Sequence, residues 1–164
     1  MTIGARKISL EYLPSEYSSE YLRDGFAKES PLLHAIHADL EQGWLEALLN
    51  VENHYVPNYS FDNVGFHLSD ITSYRAIGQL VVAYNCIKTG QDKEYLGELW
   101  QMSYSVENRR AITTPINIPI KINCTAWVAK RNRIYEGFEF DIADRSFKGT
   151  TRCVISNPLT RRNE

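Results

Sequence analysis

The apolar residues of this chain change period twice. From Ser69 to Ile87 they recur at helical spacing: Ile71, Tyr74, Ile77 with Gly78, Val81 and Tyr84 form one stripe. Ala76, Leu80, Ala83 and Ile87 widen that stripe to most of the circumference, which predicts a largely buried helix. Ser69 or Asp70 suits its N-cap and Gly90 its C-terminal end. Gly78 in the helix interior costs about 1 kcal/mol relative to Ala, and close approach of a strand is the expected reason.

Beyond Glu98 the pattern turns to alternation. Leu99 to Ile112 reads as a strand ending in the basic pair Arg109-Arg110. From Ile118 onward, Ile120, Ile122, Cys124, Ala126 and Val128 point one way and Lys121, Asn123 and Thr125 the other. Lys130-Arg-Asn-Arg133 turns the chain, and Ile134 to Ile142 pairs with Phe147 to Ile155 across Ala143-Asp-Arg-Ser146.

Upstream of the helix the signals are weaker. Leu32 to Asp39 and Trp44 to Val51 read as two strands around the turn Glu41-Gln-Gly43. A helix over Leu32–Asn50 competes with them, because Leu33, Ile36, Leu40, Trp44 and Leu48 also recur about every fourth residue. Residues 1–30 form a polar, Tyr-rich leader with a short helix expected from Ser15 to Phe26. Residues 31–157 then make one α+β domain, a buried helix on an antiparallel sheet, followed by a tail at 158–164.

The chain has 164 residues, enough for one domain with a real core. Its net charge of −2 gives no basic excess for nucleic acid and no charge run for an anionic membrane. The N-terminus has no apolar signal-peptide segment, and no apolar run reaches transmembrane length, so a soluble cytoplasmic protein is expected. Three scattered cysteines, Cys86, Cys124 and Cys153, read as reduced core residues rather than a disulfide frame or zinc site. His34 and His37 have no third ligand at useful spacing, so no metal is expected. No phosphate loop, dinucleotide fingerprint or nucleophile elbow is present, and no cofactor is expected.

Candidate chemistry gathers in the loop before the helix. Tyr55, Asp62, His67, Ser69 and Asp70 lie there, next to a helix N-terminus. Such a terminus presents backbone N–H donors and a partial positive charge, which suit a developing oxyanion. A neighbouring His or carboxylate can move a proton or activate water. The plainer reading is a cap at Ser69 or Asp70 and a loop histidine at His67.

The stretch Val64-Gly-Phe-His-Leu-Ser-Asp70, followed by Gly78-Gln-Leu-Val-Val-Ala-Tyr84, resembles the FcoT-type long-chain fatty acyl-CoA thioesterases of the hotdog superfamily. The spacing from His67 to Gln79-Leu80 agrees without a gap, and Thr114-Pro-Ile-Asn117 is similar to the family's turn before its next long strand. Pro31 to Asp39 and Leu48 to Asn53 more distantly resemble β-hydroxyacyl-carrier-protein dehydratases. The likeness spans residues 31–156 in order of elements, with sparse identities. Three departures stand out. The helix has no carboxylate after Asp70, so the dehydratase dyad is absent unless Asp70 substitutes. The Asn of the FcoT-type pattern falls on Ser69. The Asp-x-x-Gly-His of other hotdog thioesterases is approximated by Asp62-Asn-Val-Gly65, with His67 displaced by one place.

The resemblance implies a hotdog domain, usually a homodimer joined sheet edge to sheet edge, that acts on an acyl-CoA or acyl-carrier-protein thioester. It implies catalytic roles for His67, Asp70, Ser69, Tyr55 and Asp62. Tyr74, Gly78 and Gln79 would line the acyl site. From the residues themselves, Arg109-Arg110, Lys130-Arg131 and Arg133 suit the phosphates of CoA or of a carrier-protein arm, and solvation of strand ends is the plainer reading. Thioester hydrolysis is the leading activity. A lyase or Michael-type addition on an enoyl or hydroxyacyl thioester is the second, and non-catalytic acyl binding the third.

Overall fold

The computed structural model describes residues 7–17, 32–51 and 66–156. In chain order these form β1 (Lys7–Tyr12), a 3-10 turn at Ser15–Tyr17, β2 (Leu33–Asp39), β3 (Trp44–Leu49), α1 (Asp70–Thr89), α2 (Lys93–Leu96), β4 (Glu98–Asn108), β5 (Ile118–Lys130), β6 (Arg133–Ile142) and β7 (Phe147–Ser156). The strands make one seven-stranded antiparallel sheet in the order β1-β2-β3-β5-β6-β7-β4. Helix α1 lies on one face of it. Its length of about 30 Å follows from 1.5 Å per residue and nearly spans a sheet of this width.

The strand pair over 32–51 forms and the competing helix does not. Asp39 decides the turn between them: its carboxylate accepts from the backbone N–H groups of Glu41 (3.1 Å) and Gln42 (2.9 Å). Gly43 then takes φ +74°, a conformation that favours glycine. The stretch read as a leader contributes strand β1, whose Ile8 and Leu10 alternate and pack against the core. Of the helix expected from Ser15 to Phe26, only the 3-10 turn is described; the remainder lies outside the described residues.

Helix α1 is capped as its ends predict. The Ser69 side chain accepts from the Thr72 N–H (3.2 Å), and Gly90 at φ 67° returns its N–H to the Cys86 carbonyl. Two expectations about its faces are overturned. Ile71 and Tyr74 are 60% and 43% exposed, while Thr72 and Ser73 turn inward. A helix apolar nearly all round has no single stripe to fix its rotation, and polar contacts fix it instead. Gly78 has no close strand: a Cβ built there meets nothing within 4 Å.

A third correction falls on β5. Alternation holds for the buried Ile118, Ile120 and Ile122, then fails at a bulge between Cys124 and Ala126. One extra residue inverts the faces beyond it. Ala126 and Val128, expected inward, turn outward, and Trp127 turns to the helix. Strand β4 also stops at Asn108, leaving Arg109 and Arg110 in the following loop, where both N–H groups donate to the Ser146 carbonyl (2.8 and 3.4 Å).

Tyr104 on β4 stacks on Phe140 of β6, ring centroids 5.2 Å apart, across the inward face of β7. Gly149 is in register with Phe140 on β6 and with Val106 on β4, two residues beyond Tyr104. A Cβ there would overlap the Ser105 carbonyl oxygen and the Phe140 ring. Gly149→Ala is therefore expected to destabilise the fold by about 1–3 kcal/mol, through displaced backbone and ring. Urea unfolding with an unchanged m value would show it.

Candidate functional site

The start of α1 is built by short-range polar contacts. Ser69 Oγ lies 3.0 Å from Thr72 Oγ1 as well as capping the Thr72 N–H. Its own carbonyl accepts the first helical bond, from Ser73 N at 3.0 Å. The N–H groups of Asp70 and Ile71 make no bond within the helix, as in any first turn. Asp70 Oδ1 accepts from Asn108 Nδ2 at 2.6 Å, which ties the helix start to the end of β4.

One turn further, Ser73 Oγ donates to the Asp70 carbonyl (2.8 Å) and lies 3.0 Å from the Tyr104 hydroxyl. A serine carries a single hydroxyl proton, so Tyr104 is the donor in the second contact. Burial pushes the Tyr104 phenol above its ordinary value and keeps it protonated at neutral pH. Tyr74 meets the Tyr104 ring edge-on at 5.2 Å, extending the aromatic wall outward.

His67 is half-buried on the segment leading into the cap, between the buried Phe66 and Leu68. That segment is pinned by Leu68 N donating to the Ile112 carbonyl at 2.9 Å. His67, Ser69 and Asp70 are thus consecutive features of one helix approach, and Tyr74 and Gly78 follow along its exposed side. Tyr55 and Asp62 lie outside the described residues.

Gln79 is buried, and its side-chain carbonyl accepts from Leu32 N at 3.3 Å, joining the helix to the start of β2. Arg109 forms a two-point ion pair with Glu107 (3.0 and 3.2 Å), which also meets Lys148 at 3.3 Å. These cations hold the exposed Glu107 carboxyl below its usual range. Arg110 is exposed beside them.

A second polar cluster lies near the far end of α1, about 22 Å along the helix from Asp70. Glu136 on β6 is 3% exposed. Its Oε2 accepts from Asn85 Nδ2 at 2.9 Å, and Oε1 has no hydrogen-bond partner among the described residues. Asn85 also donates to the Val81 carbonyl (3.0 Å) and accepts from Trp127 Nε1 (3.3 Å). Lys88 Nζ sits 4.8 Å from the Trp127 ring centre and donates to the Tyr84 hydroxyl at 3.2 Å. Burial raises the Glu136 pKa to about 7, against the opposing pull of the Asn85 bond and the Lys88 charge. The sequence carries a signal for this group: Glu136 is the one charged residue in the inward phase Ile134, Glu136, Phe138, Phe140, Ile142.

Two of the three cysteines, Cys86 and Cys153, are buried and poorly suited to act as nucleophiles. Burial pushes the Cys86 thiol up to about 12 and the Cys153 thiol up to about 11. His34 and His37 lie on β2, bonded to Asn117 (3.2 Å) and Ser9 (2.9 Å). Among the described residues no three His, Cys, Asp or Glu groups gather as a metal site, and no helix is long and apolar enough to cross a membrane. A groove of about 720 Å³ opens on the sheet face away from the helix, lined by His37, Glu46, Lys121, Asp141 and Arg145 among others. Its walls mix these charged groups with Ala47, Leu48 and Pro119, and it lies on the sheet face opposite α1.

No protein-family model matches this chain, and no curated protein matches it. Solved structures do. The thioesterase HI1161 of Haemophilus influenzae superposes with a TM-score of 0.53 at 12% identity, over 95% of this chain and 100% of that one. A mutant of the thioesterase PA1618 of Pseudomonas aeruginosa gives 0.52 at 11% identity, over 89% and 99%. The dehydratase heterocomplex ApeI:P of Xenorhabdus doucetiae gives 0.52 at 14% identity, over 79% and 86%. At such identities the likeness is one of fold, and the fold is the hotdog fold: one helix packed on an antiparallel sheet.

The Glu136 cluster generates a pH prediction. A carboxyl whose folded pKa lies above its unfolded value binds its proton more tightly in the folded state. The stabilisation is complete below about pH 4.5 and is lost as pH rises through about 7. The shift corresponds to about 3 kcal/mol. Glu136→Gln should flatten the pH dependence of stability over that window and raise stability at pH above 7, measured by denaturant unfolding at a series of pH values.

Proposed function

We propose that this chain is an acyl-thioester hydrolase of the FcoT type, acting on a fatty acyl-CoA or acyl-carrier-protein thioester. The observation that carries the reading is the start of α1. There a capped helix terminus, the Ser69–Asp70–Ser73–Tyr104 contacts and His67 share one edge of the sheet.

In this reading the first-turn N–H groups hold the thioester carbonyl oxygen, and His67 takes a proton from water. The water oxygen bonds to the carbonyl carbon, and the negative charge passes to the carbonyl oxygen, where the helix terminus stabilises it. Collapse breaks the carbon–sulfur bond, and His67 returns the proton to the leaving thiolate. The products are a free acid and a thiol. Asp70 or Asp62 orients His67 or the water, and Tyr55 and Ser69 supply further hydrogen bonds. The acyl chain runs beside the exposed side of the helix, past Tyr74 and the open space at Gly78, with Gln79 behind it. Arg109 and Arg110 lie at the mouth for carrier phosphates.

The reading includes a homodimer joined along β4. This 11-residue strand is a terminal strand of the sheet and exposes Trp100 and Met102 at 57% and 62%. Two copies meeting there would enclose the acyl site between their helices.

A lyase or Michael-type addition on an enoyl or hydroxyacyl thioester is the second reading, favoured by the structural likeness to a dehydratase. The same helix terminus would then stabilise an enolate, with the thioester left intact.

The deciding assay presents saturated, 2-enoyl and 3-hydroxyacyl thioesters on CoA and on a carrier protein, with thiol and acyl products followed by mass spectrometry. Thiol release from saturated substrates is expected, and His67→Ala should lower kcat by about a hundredfold or more. An unchanged rate in that variant removes His67 from the mechanism. Conversion of the acyl chain with the thioester intact selects the lyase reading, and tight binding without turnover selects a binding protein. Ser69→Ala should in addition cost about 1 kcal/mol of stability through the lost cap, readable by thermal unfolding in the absence of substrate.

A further inference from the structure

The outward side of α1 is open only over its first half. At about 100° per residue, Ile71, Gly78 and Val82 fall within about 20° of one line along the helix. Ile71 is exposed, and a Cβ built on Gly78 meets nothing within 4 Å. Val82, the next residue on that line, is 7% exposed, and Asn85 and Cys86, about one turn on, are fully buried. The open strip therefore ends at Val82. Val82, Cys86, Leu96, Ile134 and Ile155 form one apolar cluster, with Leu99 and Tyr17 packed against it. Asn85 adds a polar barrier there, bonded to Glu136 and Trp127. Along the strip, Tyr74 stands on one side of the line and Arg75 on the other.

Gly78 is the residue of this strip that the fold does not require. A glycine inside a helix costs stability relative to alanine. Its backbone is helical, so no left-handed turn calls for glycine, and no strand comes near it. What it provides is a bare stretch of helix between the first-turn N–H donors and the stop at Val82.

From Ile71 to Gly78 is about 11 Å along the axis. A helical side chain leans toward the N-terminus, so Val82 closes the strip a little beyond Gly78 rather than level with its own Cα. An extended acyl chain advances slightly less per carbon than a helix does per residue, so the open length takes about eight to ten carbons. We propose that this strip sets the length of the acyl group, with Gly78 keeping its middle clear and Val82 as its end stop, and that the substrate is a medium-chain thioester. The inference rests on the proposed thioester site at the start of α1. It is shorter than the long chains that the FcoT-type resemblance implies. The stop is made within one chain, so it does not depend on how two copies meet.

Calorimetric titration of the full chain with thioether analogues of acyl-CoA, from four to sixteen carbons and below their micelle concentrations, tests this. Thiol release from the matching thioesters is measured beside it. Affinity is expected to rise by up to about fourfold per methylene as far as eight to ten carbons, then to level off or fall. Gly78→Leu should move the optimum to about six carbons or fewer, and Val82→Ala should move it upward by about two. Gly78→Ala should raise the melting temperature and yet weaken binding of the decanoyl analogue by about threefold or more, a combination that a merely structural glycine does not give. Circular dichroism shows whether Val82→Ala folds, and the Gly78 variants, on the open side of the helix, decide the matter if it does not. Affinity and turnover that keep rising to sixteen carbons overturn the length limit and leave the thioester reading standing. So does an optimum unmoved by Gly78→Leu or by a folded Val82→Ala. Absence of binding at every chain length overturns both.

Discussion

Helix α1 can lie across the sheet because the polar side chains it turns inward find partners there. Ser73 meets Tyr104 on β4, Gln79 meets the backbone at the start of β2, and Asn85 meets Glu136 on β6 and Trp127 on β5. These three residues are spaced six apart, so at about 100° per residue they point in three directions separated by about 120°. Each would cost about 1–3 kcal/mol if buried without its partner. Together they fix the rotation and position of a helix whose apolar surface alone fixes neither. The exposure of Ile71 and Tyr74, and the open space at Gly78, follow from that fixed rotation. The side of the helix left facing outward is the side along which the acyl chain is proposed to run.

The two ends of the helix do different work. At its start, capping, the Asp70–Asn108 contact and the half-buried Tyr104 phenol hold a set of donors at the sheet edge, next to His67. Near its far end, the Asn85–Glu136 pair buries a carboxyl that stays protonated to near neutrality. In the dehydratase pattern an inward carboxylate stands on the helix itself. Here the inward carboxyl comes from the sheet and the helix supplies the amide. It lies too far from the first turn to share a substrate atom with His67, so it contributes to the packing of the helix rather than to the chemistry proposed at its start.

Much of this fold is legible in the sequence where one local signal dominates. Ser69 and Gly90 mark the helix ends through capping chemistry, and the alternation from Ile118 to Ile122 and through β6 and β7 marks strands buried on one face. The misreadings arise where a longer-range term decides. The bulge after Cys124 adds one residue and inverts Ala126, Trp127 and Val128, and no residue type at Thr125 announces it. The first turn of α1, Asp70-Ile-Thr-Ser73, carries one apolar residue beside two small hydroxyl side chains, so its phase depends on Tyr104, which lies 31 residues beyond Ser73. Of the residues singled out from sequence, His67, Ser69 and Asp70 lie together because they are neighbours in the chain. Gln79 and Arg109 are held by Leu32 and Glu107, contacts that spacing does not reveal. Glu136 was visible in principle, as a charge in the buried phase of a strand.

An acyl thioester is proposed to sit at the start of α1. Backbone amide chemical shifts, followed while a non-hydrolysable thioether analogue of a fatty acyl-CoA is titrated in, test it most directly. The expected shifts concentrate on His67 through Gly78, with Tyr104, Asn108 and the Arg109-Arg110 loop. Shifts confined to the charged groove around His37 and Lys121 on the opposite face, or no shifts at saturating ligand, would contradict it.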